Sequence, residues 1–168
     1  MNAEILSFLK YQVRPHMNPI SRICEIGALN VNGSAKQILH RNPDAGSTWI
    51  GLDFVPGRGV DIVGDAKIWL ADKTNQFDVV VCCECYEHDP KWWQTNLAAR
   101  AAIKPGGLYV VTTPGIGFPF HDFGGDYYRF TEMAYCSVIF EDFEILSLTS
   151  AEPQPSFTTV MGVARKPL

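Results

Sequence analysis

The sequence predicts a single α/β domain in which helices cover both faces of a mainly parallel β-sheet. Short apolar runs alternate with amphipathic segments along the chain, as strands alternate with helices in this class. Apolar residues make up 46% of the chain and charged residues 19%, a balance that is typical of a folded domain with a core. The 168 residues fit one domain. We therefore expect residues 1–168 to form one domain with right-handed crossovers between parallel strands.

The first half of the chain alternates predicted helices with predicted strands. Residues 1–13 carry apolar side chains at helical spacing and predict an N-terminal helix, followed by a lead-in to residue 19. The elements after it are shorter and are separated by turn residues. They are a strand at 21–27, a helix at 34–40, strands at 48–55 and 60–63, and a helix at 65–72.

The second half continues this alternation before its pattern changes. Its predicted elements are a strand at 77–85, a helix at 90–104, a strand at 108–113 and a helix at 131–140. Pro105 and the two glycines after it end the long helix. Thr131 is placed to cap the last helix, which follows a stretch rich in glycine and aromatic residues.

Two strands close the chain without a helix between them. They are predicted at residues 143–148 and 158–164, and the loop at 149–156 contains two prolines. A connection of this length is too short for a helical crossover between parallel strands. We therefore expect these two strands to pair antiparallel at one edge of the sheet.

Charge and hydropathy argue against two kinds of partner. The formal net charge is −4 and the basic residues are scattered singly, so nothing predicts a nucleic-acid partner. No stretch reaches the roughly 18–20 apolar residues that cross a bilayer. The first ten residues lack the basic and apolar regions of a secretion signal. We therefore expect a cytoplasmic protein with no membrane partner.

Three of the five cysteines lie close together in one predicted strand. Cys82 and Cys83 are neighbours, so their side chains point to opposite faces of the sheet, and Cys82 cannot join Cys83 and Cys85 around one ion. We interpret these cysteines as small apolar side chains in a reducing compartment.

The carboxyl ends of the predicted strands define the expected ligand site. In an open parallel sheet, ligands bind beyond these ends, where the strand order reverses. Four of the five ends carry acids, which suits a ligand rich in hydroxyl and amino groups better than a polyphosphate. The residues at these ends are Glu25 to Gly27, Asp53, Gly64 to Ala66, Glu84 to His88, and Thr113 to Gly115.

The loop after the first strand resembles a ligand-binding turn. Gly27 lets the backbone approach a ligand closely, and Gly33 can take a positive φ just before the next helix. The loop lacks the G-x-G-x-x-G spacing of dinucleotide-binding proteins. Glycines at strand ends are also common in ordinary turns, so this loop alone does not identify a ligand.

Each of the next two acids has two interpretations. Asp53, at the end of the second strand, either accepts both hydroxyls of a ribose or is a turn residue before Pro56. Asp65, after the third strand, either accepts the amino group of an adenine or caps the helix that begins at Ala66. The two roles of Asp65 are compatible with each other.

Six segments in register resemble the class I S-adenosylmethionine-dependent methyltransferase family, in its branch of type 11-like methyltransferase-domain proteins. They span roughly residues 20–165 and are ICEIGALNVNGS, WIGLDF, VDIVGDA, FDVVVCCECYEHDP, IKPGGLYVVTTPG and HDFGGDYYRFT. The resemblance implies a three-layer α/β/α, Rossmann-like domain. Its seven-stranded, mostly parallel sheet has the order 3-2-1-4-5-7-6, with only strand 7 antiparallel.

The resemblance also implies S-adenosyl-L-methionine as the cofactor. Glu25, Gly27, Ala28 and the loop to Gly33 would bind its methionine part, Asp53 its ribose, and Asp65 with Ala66 its adenine, while Glu84 would lie near the end of the fourth strand. The sequence departs from the family in one respect. Leu29 and Val31 stand where many members have glycines, which predicts a variant path for the loop.

Three residues are candidates for catalysis on the acceptor side. An imidazole titrates near neutral pH, so His88 or His121 can act as a general base for a hydroxyl acceptor. The alternative is that His88 orients its own loop and that His121 bonds to the backbone. Asp126 is the third candidate, and Arg129 either pairs with Asp126 or contacts an anionic substrate.

We predict no metal ion, because methyl transfer does not require one. His88, Asp89, His121 and Asp122 are the residues considered as ligands, and nothing in the sequence fixes their mutual distances.

The predicted function is methyl transfer to an unidentified acceptor, a small molecule or a sugar-type hydroxyl. One alternative is a non-catalytic partner subunit that keeps the cofactor fold. The other is a nicotinamide-dependent oxidoreductase, which the missing third glycine and the closing strand pair count against. Trp92 and Trp93 diverge by about 100° on a helix, so at most one faces the core and the other is a candidate for contact with a second copy of the chain.

Overall fold

Seven strands form one β-sheet in the computed structural model, which describes residues 2–41, 43–154 and 157–168. The strands are β1 (Arg22–Ile26), β2 (Thr48–Asp53), β3 (Ile62–Val63), β4 (Phe77–Cys83), β5 (Ile103–Pro114), β6 (Glu144–Gln154) and β7 (Phe157–Arg165). Their order is β3-β2-β1-β4-β5-β7-β6. Strands β1 to β5 pair in parallel, and β7 runs antiparallel to both β5 and β6. The predicted strand order and the antiparallel seventh strand are confirmed.

Helices pack on both faces of this sheet. They are α1 (Ala3–Phe8), which continues as a π-helix (Leu9–Val13) and a 3-10 turn (Arg14–His16), α2 (Lys36–Leu39), α3 (Ala66–Trp69), α4 (Trp92–Ala102), and α5 (Glu132–Ala134), which continues as a π-helix (Tyr135–Ile139). The side chain of Asn2 caps α1 by accepting from the N–H of Ile5 at 2.9 Å. Among the described residues, no helix combines the length and the hydropathy needed to cross a membrane.

The core has two halves, one on each face of the sheet. Alternation along β4 sends Val79 and Val81 to the half that contains α1 and α2, and sends Val80 and Cys82 to the half that contains α3, α4 and α5. Cys83 lies in the first half, on the face opposite Cys82, as predicted. The three-layer architecture therefore follows from side-chain alternation in a strand that is buried on both faces.

The long helix α4 separates its two tryptophans. Trp92 packs against the core, with its ring 5.7 Å from that of Tyr86 and 5.1 Å from that of Phe130. Trp93 is exposed on the outer face. The prediction that at most one of the two faces the core is confirmed, while contact with a second copy stays a prediction.

The predicted element boundaries are wrong in several places. β5 begins at Ile103 instead of residue 108. Phe77 of β4 pairs with Ile103 and Val79 pairs with Leu108, so Pro105 and the two glycines form a bulge within β5. The predicted loop at 149–156 is strand up to residue 154. β6 is an edge strand with a register shift between Ala151 and Gln154, and edge strands and bulges are the places where sheets tolerate proline. Pro155 and Ser156 of that loop lie outside the described residues. In the first half, β2, β3 and the short helices α2 and α3 are two to four residues shorter than predicted.

Candidate functional site

The loop after β1 turns sharply at Gly27. Gly27 has φ +75°, and a Cβ there would lie 2.9 Å from both Cβ and Sγ of Cys85. The N–H groups of Gly27 and Ala28 both donate to the carbonyl of Leu52, at 2.9 and 3.1 Å. Glycine is therefore required here because Cys85, just after the end of β4, packs closely against it, and the predicted approach of a ligand to Gly27 stays a prediction.

The rest of this loop is held by its own side chains and by the segment after β2. Gly33 has φ +123°, and its N–H donates to the side chain of Asn30 at 3.1 Å. The N–H of Asn30 donates to the carbonyl of Arg58 at 2.8 Å. A Cβ on Gly59 would lie 2.6 Å from the carbonyl oxygen of Ala28. The sequence predicted only a turn at residues 56–59, and the close approach of Gly59 to Ala28 was missed. Gly59 also has positive φ, so both its backbone conformation and this approach favour glycine.

Asp53 lies beside the glycine loop at the end of β2, as predicted. Its Oδ2 accepts from the N–H of Leu29 at 3.0 Å, and its Oδ1 accepts from the N–H of Val55 at 3.0 Å. Each carboxylate oxygen keeps a further acceptor site, since an ionised carboxylate has about four lone-pair sites. The ribose role of Asp53 is compatible with these bonds and stays a prediction.

Glu25 is buried under the same loop. Trp49 Nε1 donates to its Oε2 at 3.2 Å. Burial raises the pKa of Glu25 to about 7, against the lowering effect of this bond. Glu25 is thus an interior carboxyl that braces β1 against β2 on the cofactor side of the predicted site.

Asp65 caps α3. Its Oδ1 accepts from the N–H of Lys67 at 3.1 Å, and its Oδ2 lies 2.6 Å from Lys67 Nζ. Ala66 is buried beside it. The cap interpretation from the sequence is therefore confirmed, and the adenine interpretation stays a prediction.

Glu84 has an unusual backbone at the end of β4. Its φ is +51°, a left-handed conformation that non-glycine residues adopt rarely. Its N–H donates to the carbonyl of Thr112 at 2.8 Å, and the hydroxyl of Thr112 donates to its Oε1 at 3.1 Å. Burial raises the pKa of Glu84 to about 8, and the negative charge of Glu87 adds to this rise. The strained backbone at Glu84 marks the place where the chain leaves β4 and enters the turn that contains Glu87 and His88.

Glu87 is the centre of the acceptor side. Its side chain is fully buried, and neither carboxylate oxygen has a hydrogen-bond partner among the residues that the structure describes. The nearest basic atoms are His88 Nε2 at 3.6 Å and His121 Nε2 at 3.8 Å from Oε1. Sequence reasoning placed Glu87 near the pocket but did not select it, since its burial depends on a loop that folds over it from beyond β5.

The two predicted histidines meet at this carboxylate. Their ring centroids are 4.9 Å apart in an edge-to-face arrangement. His88 Nδ1 lies 2.5 Å from the carbonyl oxygen of Gly125, while His121 Nδ1 lies 3.3 Å from Asp126 Oδ2 and 3.4 Å from the carbonyl of Pro119. The carboxylates of Glu87 and Asp126 raise the pKa of His121. Each imidazole therefore points one nitrogen at an acceptor behind it and the other at Glu87.

Asp126 fastens the loop that carries His121. Arg129 donates to both of its oxygens, at 2.5 and 2.7 Å, and this guanidinium holds the pKa of Asp126 well below its usual range. Arg129 also donates to the carbonyls of Phe118, Pro119 and Tyr128. Arg129 was predicted either to pair with Asp126 or to contact an anionic substrate, and the structure shows the pair with Asp126. Asp126 was predicted as a catalytic candidate. It lies behind His121, where it can orient the ring, so the role we now propose for it is to position His121.

The fold is shared with known methyltransferases, although sequence comparison finds no relative. No protein-family model matches the chain, and no curated protein matches it. A 1,6-didemethyltoxoflavin N1-methyltransferase from Burkholderia thailandensis, solved with 1,6-didemethyltoxoflavin and S-adenosylhomocysteine, superposes with a TM-score of 0.74 at 16% identity, over 97% of this chain and 78% of that one.

Two further solved structures show how widely this fold is used. An S-adenosylmethionine-dependent methyltransferase from Mesorhizobium loti gives a TM-score of 0.64 at 15% identity, over 91% of this chain and 95% of that one. A [4+2]-cyclase gives 0.70 at 13% identity, over 98% of this chain and 80% of that one. These likenesses confirm the predicted class I methyltransferase fold. They do not identify the reaction, because one fold can carry several chemistries.

Proposed function

We propose that this protein transfers a methyl group from S-adenosyl-L-methionine to a hydroxyl group of a small molecule. The observation that carries the proposal is the position of Asp53, whose carboxylate lies 3.0 Å from the glycine-loop N–H of Leu29 at the end of β2. An acid at this place suits the two hydroxyls of a ribose. The neighbour from Burkholderia thailandensis, with the same fold, was solved with the demethylated cofactor.

The cofactor would lie across the ends of the first four strands. Its methionine part would occupy the turn at Gly27, bounded by Glu25 and Ala28, and reach toward Gly33. Its adenine would lie near Asp65 and Ala66. Glu84 would face the methionine part from the end of β4. These roles are proposals drawn from the resemblance in sequence and from the shared fold.

The acceptor would lie above the ends of β4 and β5, over Glu87, His88 and His121. The sulfonium of the cofactor is already an activated methyl donor, so the protein mainly aligns the acceptor and removes its proton. A hydroxyl acceptor suits this place because imidazoles and a buried carboxylate can accept or polarise that proton.

Calorimetric titration with S-adenosylhomocysteine tests the cofactor site. We expect Asp53→Asn to weaken binding about 10- to 100-fold, because a hydrogen bond to a charged group contributes roughly 1.5–3 kcal/mol. Asparagine keeps one acceptor oxygen for the backbone, so the loop should stay folded. Asp44→Asn, at an exposed aspartate, is the matched control and should bind like the parent. Equal affinity in Asp53→Asn and the parent would remove Asp53 from the site.

Transfer of a labelled methyl group tests the reaction itself. The protein is incubated with labelled S-adenosylmethionine and a metabolite extract, and labelled small molecules are separated from labelled macromolecules. The proposal predicts label in the small-molecule fraction. Cofactor binding without transfer to any fraction would favour the non-catalytic partner subunit, and binding of NADH in place of S-adenosylhomocysteine would favour the oxidoreductase.

A further inference from the structure

The carboxylate of Glu87 lacks the hydrogen bonds that its burial calls for, among the residues that the structure describes, and only two imidazoles face it. The side chain is 0% exposed, and neither oxygen accepts a hydrogen bond from any described residue. Burying an ionised carboxylate without a partner costs several kcal/mol, roughly, so native structures pair such groups or bind a cation there. The guanidinium of Arg129 does not supply this partner, since it is paired with Asp126. The unfilled acceptor capacity of Glu87 therefore points to a bound cation.

The atoms around this carboxylate have the spacing of ligands to one ion. Glu87 Oε1 lies 3.6 Å from His88 Nε2 and 3.8 Å from His121 Nε2, and one donor atom from each of the three residues lies within 4.8 Å of the others. Two ligands that bind one ion at about 2.1 Å lie roughly 3.0–3.5 Å apart. Movements of less than about 1 Å would therefore bring all three atoms into one coordination sphere.

Both imidazoles are oriented as metal-binding histidines usually are. A metal-binding histidine commonly donates its other ring N–H to a carbonyl or a carboxylate, which fixes the tautomer and leaves a lone pair for the ion. Gly125 supplies the carbonyl behind His88 Nδ1. Asp126 and Pro119 supply the acceptors behind His121 Nδ1. Both Nε2 atoms are left facing Glu87.

We propose that Glu87, His88 and His121 bind a divalent first-row transition-metal ion. Two imidazoles and a carboxylate suit Mn²⁺, Fe²⁺, Co²⁺ or Zn²⁺, whereas Mg²⁺ prefers oxygen ligands alone. This ligand set differs from the one considered from the sequence. Asp89 accepts from the N–H of Lys91 and the hydroxyl of Thr95, and Asp122 accepts from the N–H of Gly125.

The ion would select the methyl acceptor, which would be a hydroxyl group that binds the metal. This part of the inference rests on the proposed function. Three protein ligands leave coordination positions open for a substrate oxygen. A hydroxyl bound there would lose its proton to water more readily, so the ion would take over the proton-removing role proposed above for the imidazoles and the carboxylate. Its oxygen then forms the new O–CH₃ bond, and the electron pair of the broken S–CH₃ bond stays on sulfur, giving S-adenosylhomocysteine.

Cobalt titration of the full chain without a histidine tag tests the site. The chain is first stripped with a chelator, and Co²⁺ is followed by its visible absorption and by calorimetry. We expect one strong site per chain. Glu87→Gln and His121→Asn should each weaken Co²⁺ binding at least about 100-fold, because even residues behind metal-binding histidines are worth 10- to 100-fold in affinity. His16→Asn, at an exposed histidine, is the matched control and should retain the parent's affinity.

The thermal transition of the same proteins is a second readout. Co²⁺ should raise Tm in the parent and in His16→Asn, since an ion that binds only the folded state stabilises it. Glu87→Gln should fold, because it replaces a buried carboxyl group with an amide of similar shape, and should show no such rise. No saturable site in the folded parent, equal affinity in Glu87→Gln, or a preference for Mg²⁺ over Co²⁺ would overturn the proposal. Both measurements are made without S-adenosylhomocysteine. If no metal binds, the proposed methyl transfer is still tested independently by the S-adenosylhomocysteine titration.

Discussion

The two halves of the candidate site satisfy their acids in different ways. On the cofactor side, at the ends of β1 to β3, Asp53 and Asp65 accept hydrogen bonds from backbone N–H groups within their own loops or the neighbouring one. On the acceptor side, beyond β4 and β5, the side chain of Glu87 accepts none from the part of the chain that the structure describes, and it faces imidazoles from two distant segments. The acids of the first half hold the shape of their own loops, whereas Glu87 in the second half keeps the unfilled acceptor capacity on which the proposed metal site is argued.

The largest expected effect concerns the turn at Gly27. Gly27→Ala should lower the free energy of unfolding by about 3 kcal/mol or more, because the new Cβ combines a strained backbone with a clash at 2.9 Å. Gly46→Ala is the control, since Gly46 also has positive φ but has nothing within 4 Å of a new Cβ. It should cost only about 1 kcal/mol. Urea unfolding measures both, and equal losses would mean that the contact with Cys85 is unimportant.

A pH dependence is expected from the buried carboxyl of Glu25. Its pKa is raised from 4.5 to about 7, so the folded state holds the proton more tightly than the unfolded chain does. The stabilisation is fully present below about pH 4.5 and is lost as pH rises through about 7. Between pH 4.5 and 8, the free energy of unfolding of the parent should fall by about 3 kcal/mol relative to Glu25→Gln. Parallel pH profiles for the two proteins would contradict this account.

The ion pair between Arg129 and the buried carboxylate of Asp126 holds the loop of the acceptor side. Arg129→Lys should destabilise the protein by about 2 kcal/mol, because lysine cannot reproduce the two-pronged contact with Asp126, whose side chain is 0% exposed. Arg100→Lys is the matched control, since its partner Glu141 is 58% exposed. It should cost about 0.5 kcal/mol. Equal costs in urea unfolding would show that burial of the pair does not matter.

The smallest expected effect separates the two roles of Asp65. Asp65→Asn should change stability by less than about 0.5 kcal/mol, since asparagine caps helices nearly as well as aspartate. If Asp65 also accepts the adenine amino group, the same variant should weaken S-adenosylhomocysteine binding about 3- to 10-fold. Unchanged affinity by calorimetry would leave Asp65 as a helix cap alone.

The same contrast explains what the sequence could predict. Gly27, Asp53 and the cap at Asp65 follow from local signals, which are strand ends, glycines and residues that precede helices. The strand order, with the position of the antiparallel strand β7, came from the resemblance of six segments in register. On this side, the residues that matter lie within a few positions of the signal that predicts them.

The arrangement on the acceptor side depends on contacts that no local pattern encodes. His88 and His121 were each predicted as candidates, yet their meeting at Glu87 requires the loop at residues 118–129 to fold back over the segment that follows β4. Glu87 is buried because this loop covers it, and its burial leaves its carboxylate oxygens without hydrogen bonds from the described residues. The misplaced loop at 149–156 has a similar origin, since pairing with β7 overrides the turn preference of its residues up to 154.

A crystal structure of the protein with S-adenosylhomocysteine is the most direct test of the central claim, which is that one adenosyl ligand spans the ends of β1 to β4. We predict the ribose hydroxyls within hydrogen-bond distance of Asp53, the methionine part at the turn of Gly27, and the sulfur facing Glu87. Ligand density elsewhere on the molecule, with Asp53 bonded only to Leu29 and Val55, would contradict it.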